Sequence, residues 1–159
     1  MKVEYAPLFK LSVCFTEPLT SDLVLDGLVT LPAAQGPEKR QDLYALAVNR
    51  YNKVVLSEDE EKLDSVQAAL SARENVLVGD ASSAITSAKL SGVHAAELLA
   101  RAIDVDSASI VDGGYVRCQF DHAVIVIHRV NNAFLLHWPE PLTAYVVQWI
   151  KTVVGLKRD

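Results

Sequence analysis

The sequence predicts an α+β fold, with an antiparallel or mixed sheet carrying helices on one face. Three observations lead there. The elements read β-α-β-β-α-β-β-β-α, so strands and helices do not alternate as a parallel sheet requires. Residues 115–120 alternate with period two, and short turns return them through 124–128 and 133–137, which is the pattern of an antiparallel meander. Leu142, Tyr145, Val146, Trp149, Ile150 and Val153 recur at helical spacing and place an amphipathic helix at the C-terminal end.

Taken in order, the first forty residues are the least regular. Pro7, Pro18, Pro32 and Pro37 each fix φ and remove a donor, so extended strands and turns are expected there, with a loop over 33–41. The chain reads as a single domain, 1–159, in which residues 1–40 form an irregular, extended N-terminal segment and 41–159 form the α+β core. Residues 53–56 read as a strand. Ser57 with Glu60 three positions later has the form of a capping box, and Leu63, Val66 and Leu70 give the helix behind it an apolar stripe. Residues 75–78 and 85–90 read as strands. Ser91 then stands as the N-cap of a second helix, whose inner face is Ala95, Leu98, Leu99, Ala102 and Ile103. Gly113 and Gly114, Asp121 and His122, and Asn131 and Asn132 are the turn pairs of the C-terminal strands. Val116, Cys118 and Phe120 face one side, and Tyr115, Arg117 and Gln119 the other. Pro139 and Pro141 open the last helix, where proline is tolerated, and Gly155 is placed to end it. Trp149 falls in the middle of that helix's stripe, so it is expected to be a core tryptophan.

Half of the 159 residues are hydrophobic, which is enough for a substantial core. The net charge of −5 and the scattered Lys and Arg argue against nucleic acid and against an anionic membrane surface. No apolar stretch approaches the roughly 18 residues of a membrane span, and the N-terminus lacks the apolar region of a secretion signal. With two isolated cysteines, Cys14 and Cys118, a cytoplasmic location with reduced thiols is expected.

The search for chemistry finds little. There is no glycine-rich dinucleotide fingerprint, no phosphate loop and no nucleophile elbow. The four histidines, His94, His122, His128 and His137, have no metal-ligand spacing; His128 and His137 stand where adjacent strands can bring them together. Cys118 reads as core. The acidic run 58–61 is the solvated start of a helix. No catalytic, cofactor-binding or metal site is expected on this chain. The remaining candidates are surface anchors: Tyr5, Leu8 and Phe9 in an N-terminal arm that would dock on a partner, and Trp138 just before two prolines, for which a core position is the other and favoured reading. The competing reading of the arm is an edge strand over 11–15.

A resemblance adds to this. Residues 80–99, DASSAITSAKLSGVHAAELL, resemble the D-x-S…L-x-G-x-x-A-x-x-L-L segment of the aminomethyltransferase-like folate-binding family, which includes the T-protein of the glycine cleavage system. Within it, GLVTLP at 27–32, YVRCQ at 115–119 followed by VIVIHR at 124–129, and NAFLL at 132–136 with Tyr145 and Trp149 look like the gamma subunit of heterotetrameric sarcosine oxidase. The resemblance spans about three quarters of the chain. It departs at 46–56, where the family's tryptophans and G-P turn are missing. It departs also at 121–123, where the hairpin that bears the T-protein's catalytic aspartate is cut short; aminomethyl transfer is therefore not carried over. The resemblance implies a non-catalytic subunit, with a folate-binding-domain-like fold, in a complex that oxidatively demethylates sarcosine or a related N-methyl amino acid. It implies alpha, beta and delta partner subunits, with FAD, FMN, NAD, tetrahydrofolate and zinc on those partners. The alternatives are a stand-alone folate-binding aminomethyltransferase-like protein and an unrelated small interaction module.

Overall fold

The structure, a computed structural model, describes residues 2–33 and 44–155, with side chains to Val153. Most of the loop expected over 33–41 lies outside the described residues. The strands form two antiparallel sheets and a small hairpin. In sheet A the order is β1 (Lys2–Tyr5), β8 (Ile85–Ser91), β11 (Ala133–Pro139), β10 (Ala123–Val130), β9 (Tyr115–Phe120). In sheet B it is β5 (Tyr44–Ala47), β6 (Asn52–Ser57), β2 (Phe9–Phe15), β7 (Val76–Asp80). The hairpin pairs β3 (Leu23–Leu25) with β4 (Val29–Leu31).

Helical cover lies on one face of each sheet, as expected, but there are two such sheets. Against the outer face of sheet A lie α2 (Ala95–Ala102) and α3 (Thr143–Gly155), sharing a core of Leu98, Leu99, Phe120, Ile125, Ile127, Phe134, Trp138, Val146 and Ile150. Against the outer face of sheet B lie α1 (Glu60–Ser71) and the hairpin, around Leu11, Val13, Leu31, Val55, Val66 and Leu70. The inner faces meet through a third cluster, Leu8, Leu46, Ala47, Leu56 and Tyr115. Inside that layer the Ala47 amide donates to the Tyr115 hydroxyl oxygen at 2.8 Å. Side-chain alternation sends successive residues to opposite faces. On β10, Ile125 and Ile127 therefore reach the helices while Val126 and His128 reach the other sheet.

The N-terminal segment is where the expectation fails. The described part of the N-terminal segment, residues 2–33, is not an irregular extension of the core but supplies strands to it. β2 is an interior strand of sheet B, bonded to β6 on one side and β7 on the other, and Leu11, Val13 and Phe15 are buried. Two prolines flank that strand without entering it, so they bound it instead of demoting it. β1 is the edge of sheet A, paired to β8. Tyr44–Ala47 was not read as a strand, because two of its four residues are alanines, poor strand formers, and burial on both faces removes the alternation.

The N-termini of α1 and α2 also differ from expectation. The N-cap of α1 is Asp59, whose carboxylate accepts from the amides of Glu61 and Lys62; Ser57 ends β6, and its hydroxyl oxygen accepts from the Asp59 amide. Ser91 ends β8, opposite Lys2 and Ala133, so it cannot cap α2, which begins after His94. The turn pairs hold: Asp121 and Asn131 take the left-handed φ, 50° and 56°, that a two-residue hairpin needs at its first position. No helix among the described residues is long and apolar enough to cross a membrane.

Candidate functional site

Across sheet A, strand register aligns four residues in one row. Arg117 on β9 stands opposite Val126 on β10, Val126 opposite His137 on β11, and His137 opposite Ser87 on β8. All four belong to the face turned toward sheet B. Where sheet B comes up to this row, Leu46, Val48 and Val54 complete a cleft of about 300 Å³, rimmed by Ala84, Ile85 and Pro139. The lining is mainly apolar, and its two ionisable members are Arg117 and His137.

His137 is 5% exposed. Its Nδ1 shares a hydrogen bond with Ser87 Oγ at 2.7 Å, and its Nε2 has no partner among the described residues. Burial is the main cause that drives its pKa down to about 3, and nearby His128 and Lys10 push the same way, so the ring is neutral at physiological pH. Lys10 projects from β2 into the inter-sheet layer, is 3% exposed, and donates from Nζ to the Ile85 carbonyl; burial lowers its pKa. His128 is packed edge-on against Tyr44 and Tyr115, with ring centroids 4.9 and 6.5 Å away.

The two histidines do share a face of adjacent strands, but out of register: His137 lies opposite Val126, and His128 opposite Leu135. No group of three or more metal-ligating side chains occurs among the described residues. Cys118 is on the opposite face, under the helices. Burial, with Asp104 adding to it, pushes its thiol up to about 11, so it is not a thiolate at neutral pH. Among the described residues, no carboxylate lines the cleft. What the arrangement offers is recognition: one cation, apolar walls, and one neutral ring nitrogen.

The four surface anchors expected from sequence separate into two pairs. Tyr5 is 63% exposed and Phe9 36%, and Tyr5 lies on a second depression of about 610 Å³ that also takes in Lys89 and Asn131. Leu8 and Trp138 are core. Leu8 is buried between the sheets; Trp138 is 1% exposed and donates from Nε1 to Thr143 Oγ1 at 3.0 Å. Trp138 is thus no partner anchor, because it lies on the face of β11 that α3 covers. Trp149, expected in the core, is only partly buried and packs edge-on against Phe120 at 4.9 Å. Sequence reasoning also passed over two buried lysines, Lys10 and Lys53. Lys53 donates to the carbonyls of Asn49 (2.7 Å), Arg50 and Ala33, and so pins the β5–β6 turn. For Lys53 the available signal was a lysine sharing a strand face with Val55; Lys10 falls on the polar side of its strand's alternation with Ser12, so the sequence carried no signal of its burial.

A comparison with solved structures bears on the family. A chain of heterotetrameric sarcosine oxidase from Corynebacterium sp. U-96, an enzyme solved in complex with pyrrole 2-carboxylate, superposes with a TM-score of 0.77. The match covers 96% of this chain and 83% of that one, at 17% identity. The chain has the fold of a sarcosine oxidase subunit. No protein-family model and no curated protein matches the sequence. At this identity the likeness speaks for fold. It includes the N-terminal strands, since nearly the whole chain is covered, and it agrees with the motifs at 27–32, 80–99, 115–129 and 132–149 that pointed to that enzyme.

Proposed function

We propose that this chain is the gamma-type subunit of a heterotetrameric, sarcosine-oxidase-like flavoenzyme in the cytoplasm, and that it contributes structure to the assembly, not catalysis. Its two-sheet architecture is then a variant of the aminomethyltransferase folate-binding domain. The alpha, beta and delta partners carry FAD, FMN, NAD, tetrahydrofolate and zinc, and oxidise sarcosine or a related N-methyl amino acid. The observation that carries this reading is the shared fold over 96% of the chain, reached independently of the sequence motifs. Tyr5 on the edge strand β1 and Phe9 at the start of β2, both exposed, are the residues assigned to a partner contact.

Affinity purification of the tagged chain from its native cells tests this. A yellow complex with three further subunits and sarcosine-dependent peroxide formation is expected, with Tyr5→Ala and Phe9→Ala together reducing recovery of the partners. A chain that elutes alone from those cells, or one that oxidises sarcosine without partners, rules the proposal out.

A further inference from the structure

The sequence holds two aspartate–glycine steps, Asp26–Gly27 and Asp112–Gly113, and no asparagine–glycine step. In such a pair the glycine amide nitrogen can attack the side-chain carboxyl carbon before it, because no Cβ stands in the way. Both pairs sit in turns, and both glycines take a left-handed φ, 74° at Gly27 and 81° at Gly113. The fold nonetheless treats them differently. Asp112–Gly113 is held on both sides. The Gly113 amide donates to the Arg129 carbonyl at 2.8 Å, and the Asp112 carboxylate accepts from the Asn131 amide at 2.7 Å. Asp26–Gly27 is the tip of the β3–β4 hairpin. The Leu28 amide closes that turn onto the Leu25 carbonyl at 2.9 Å. Among the described residues, the Gly27 amide then has no acceptor and the Asp26 carboxylate no donor. Both residues are exposed, and a Cβ placed on Gly27 would meet no atom within 4 Å.

We propose that Asp26–Gly27 is a modification site, where the folded chain forms isoaspartate spontaneously and thereby becomes a substrate for carboxyl methylation. The Gly27 nitrogen bonds to Asp26 Cγ and gives up its proton while the carboxyl gives up a hydroxyl. One water leaves, and a five-membered succinimide remains. Water then adds at either carbonyl. One opening restores aspartate. The other routes the main chain through the former side chain and frees the α-carboxylate. That carboxylate takes a methyl group from a sulfonium donor, which leaves as a thioether. The structural consequence is local. Isomerisation adds one main-chain carbon to the three-residue loop between Leu25 and Val29, which are cross-strand partners with buried side chains. A loop that short sets the register of its strands, so the hairpin over sheet B loosens. The inference stands apart from the subunit reading and survives its failure.

The test ages the full chain at neutral pH and physiological temperature, once folded and once in denaturant, and then cleaves it with trypsin. The two pairs fall on separate fragments, residues 11–39 and 102–117. Isoaspartate is read by labelling with a protein-isoaspartate methyltransferase and S-adenosylmethionine, and it is placed by electron-transfer fragmentation. In the folded chain it should accumulate at Asp26 at least about tenfold faster than at Asp112, where hydrogen bonds must first open. In denaturant the two rates should converge. Hydrogen exchange of the isomerised fraction should show protection lost over residues 23–31 and kept in sheet A. Equal rates in the folded chain, or a faster rate at Asp112, overturn the proposal. So does a difference that persists in denaturant, since the neighbouring sequence and not the fold then sets it. A hairpin as protected after isomerisation as before overturns it as well.

Discussion

His137 shows how far burial can move one side chain. Its folded pKa of about 3 lies well below the ordinary 6.5, first because the ring is out of water and then because His128 and Lys10 face it from the same layer. The sign of the linkage follows. Below pH 6.5 the unfolded chain takes up a proton that the folded chain refuses, so stability present above 6.5 is lost as pH falls toward 3. Between pH 7 and pH 5 this one residue should cost about 2 kcal/mol. Denaturant unfolding of wild type and His137→Gln at both pH values measures it, as the variant lacks the titrating ring. Parallel pH dependence in the two proteins would mean that water reaches the ring. The residue was visible in the sequence as a histidine on a strand adjacent to that of His128. Its burial was not, because a histidine in an alternating strand reads the same whether its face meets solvent or a second sheet. The tryptophans illustrate the same limit. Helical spacing put Trp149 in the core and left Trp138 between core and surface, whereas Trp138 is the fully buried one and Trp149 sits at the margin beside Phe120. Period identifies a face, but the depth of each position on it depends on the neighbouring element.

At the scale of elements, the C-terminal half was legible and the N-terminal strands were not. Tyr115–Phe120 has the same bounds in sequence and structure, since clear alternation meets unambiguous turns at Gly113, Asp121 and Asn131. The helix termini were misplaced because several residues there could cap: Asp59 is two positions beyond Ser57, and its carboxylate reaches the free amides of the first turn better. β2 was missed as an interior strand because flanking prolines suggested an arm, and because its partner residues on β6 and β7 are 38 to 69 residues distant in the chain. Two truncations distinguish the strands. Removing residues 1–5 deletes only the exposed edge strand β1 and should leave a folded protein with a modestly lower Tm. Removing residues 1–16 deletes β2, exposes the sheet B core of Val55, Val66 and Leu70, and should give an insoluble or unfolded chain. Circular dichroism and solubility report the difference, and a folded 1–16 deletion would return the segment to the status of an arm.

For the whole molecule, the decisive feature is that the two helix-backed sheets share an inner layer. Lys10 ties them at one end, its backbone bonded to Ala81 and Ser82 and its ammonium to Ile85, where the chain passes from sheet B to sheet A. Tyr115 ties them at the other: its ring lies in the apolar cluster with Leu8, Leu46 and Leu56, and its hydroxyl oxygen receives the amide of Ala47. That amide is buried, so removing its acceptor leaves it unsatisfied instead of returning it to water. Tyr115→Phe keeps the ring and deletes the hydroxyl, including this acceptor, and should cost about 1–3 kcal/mol. Because the layers share this core, the loss should lower the midpoint of one cooperative unfolding transition. Calorimetry together with near-ultraviolet circular dichroism distinguishes the outcomes. Coincident transitions displaced to lower temperature fit a molecule whose sheets fold as a unit. Two separated transitions in the wild-type protein, or a Tyr115→Phe variant as stable as wild type, would show that each sheet with its helices stands alone and that the inner layer is only a contact between them.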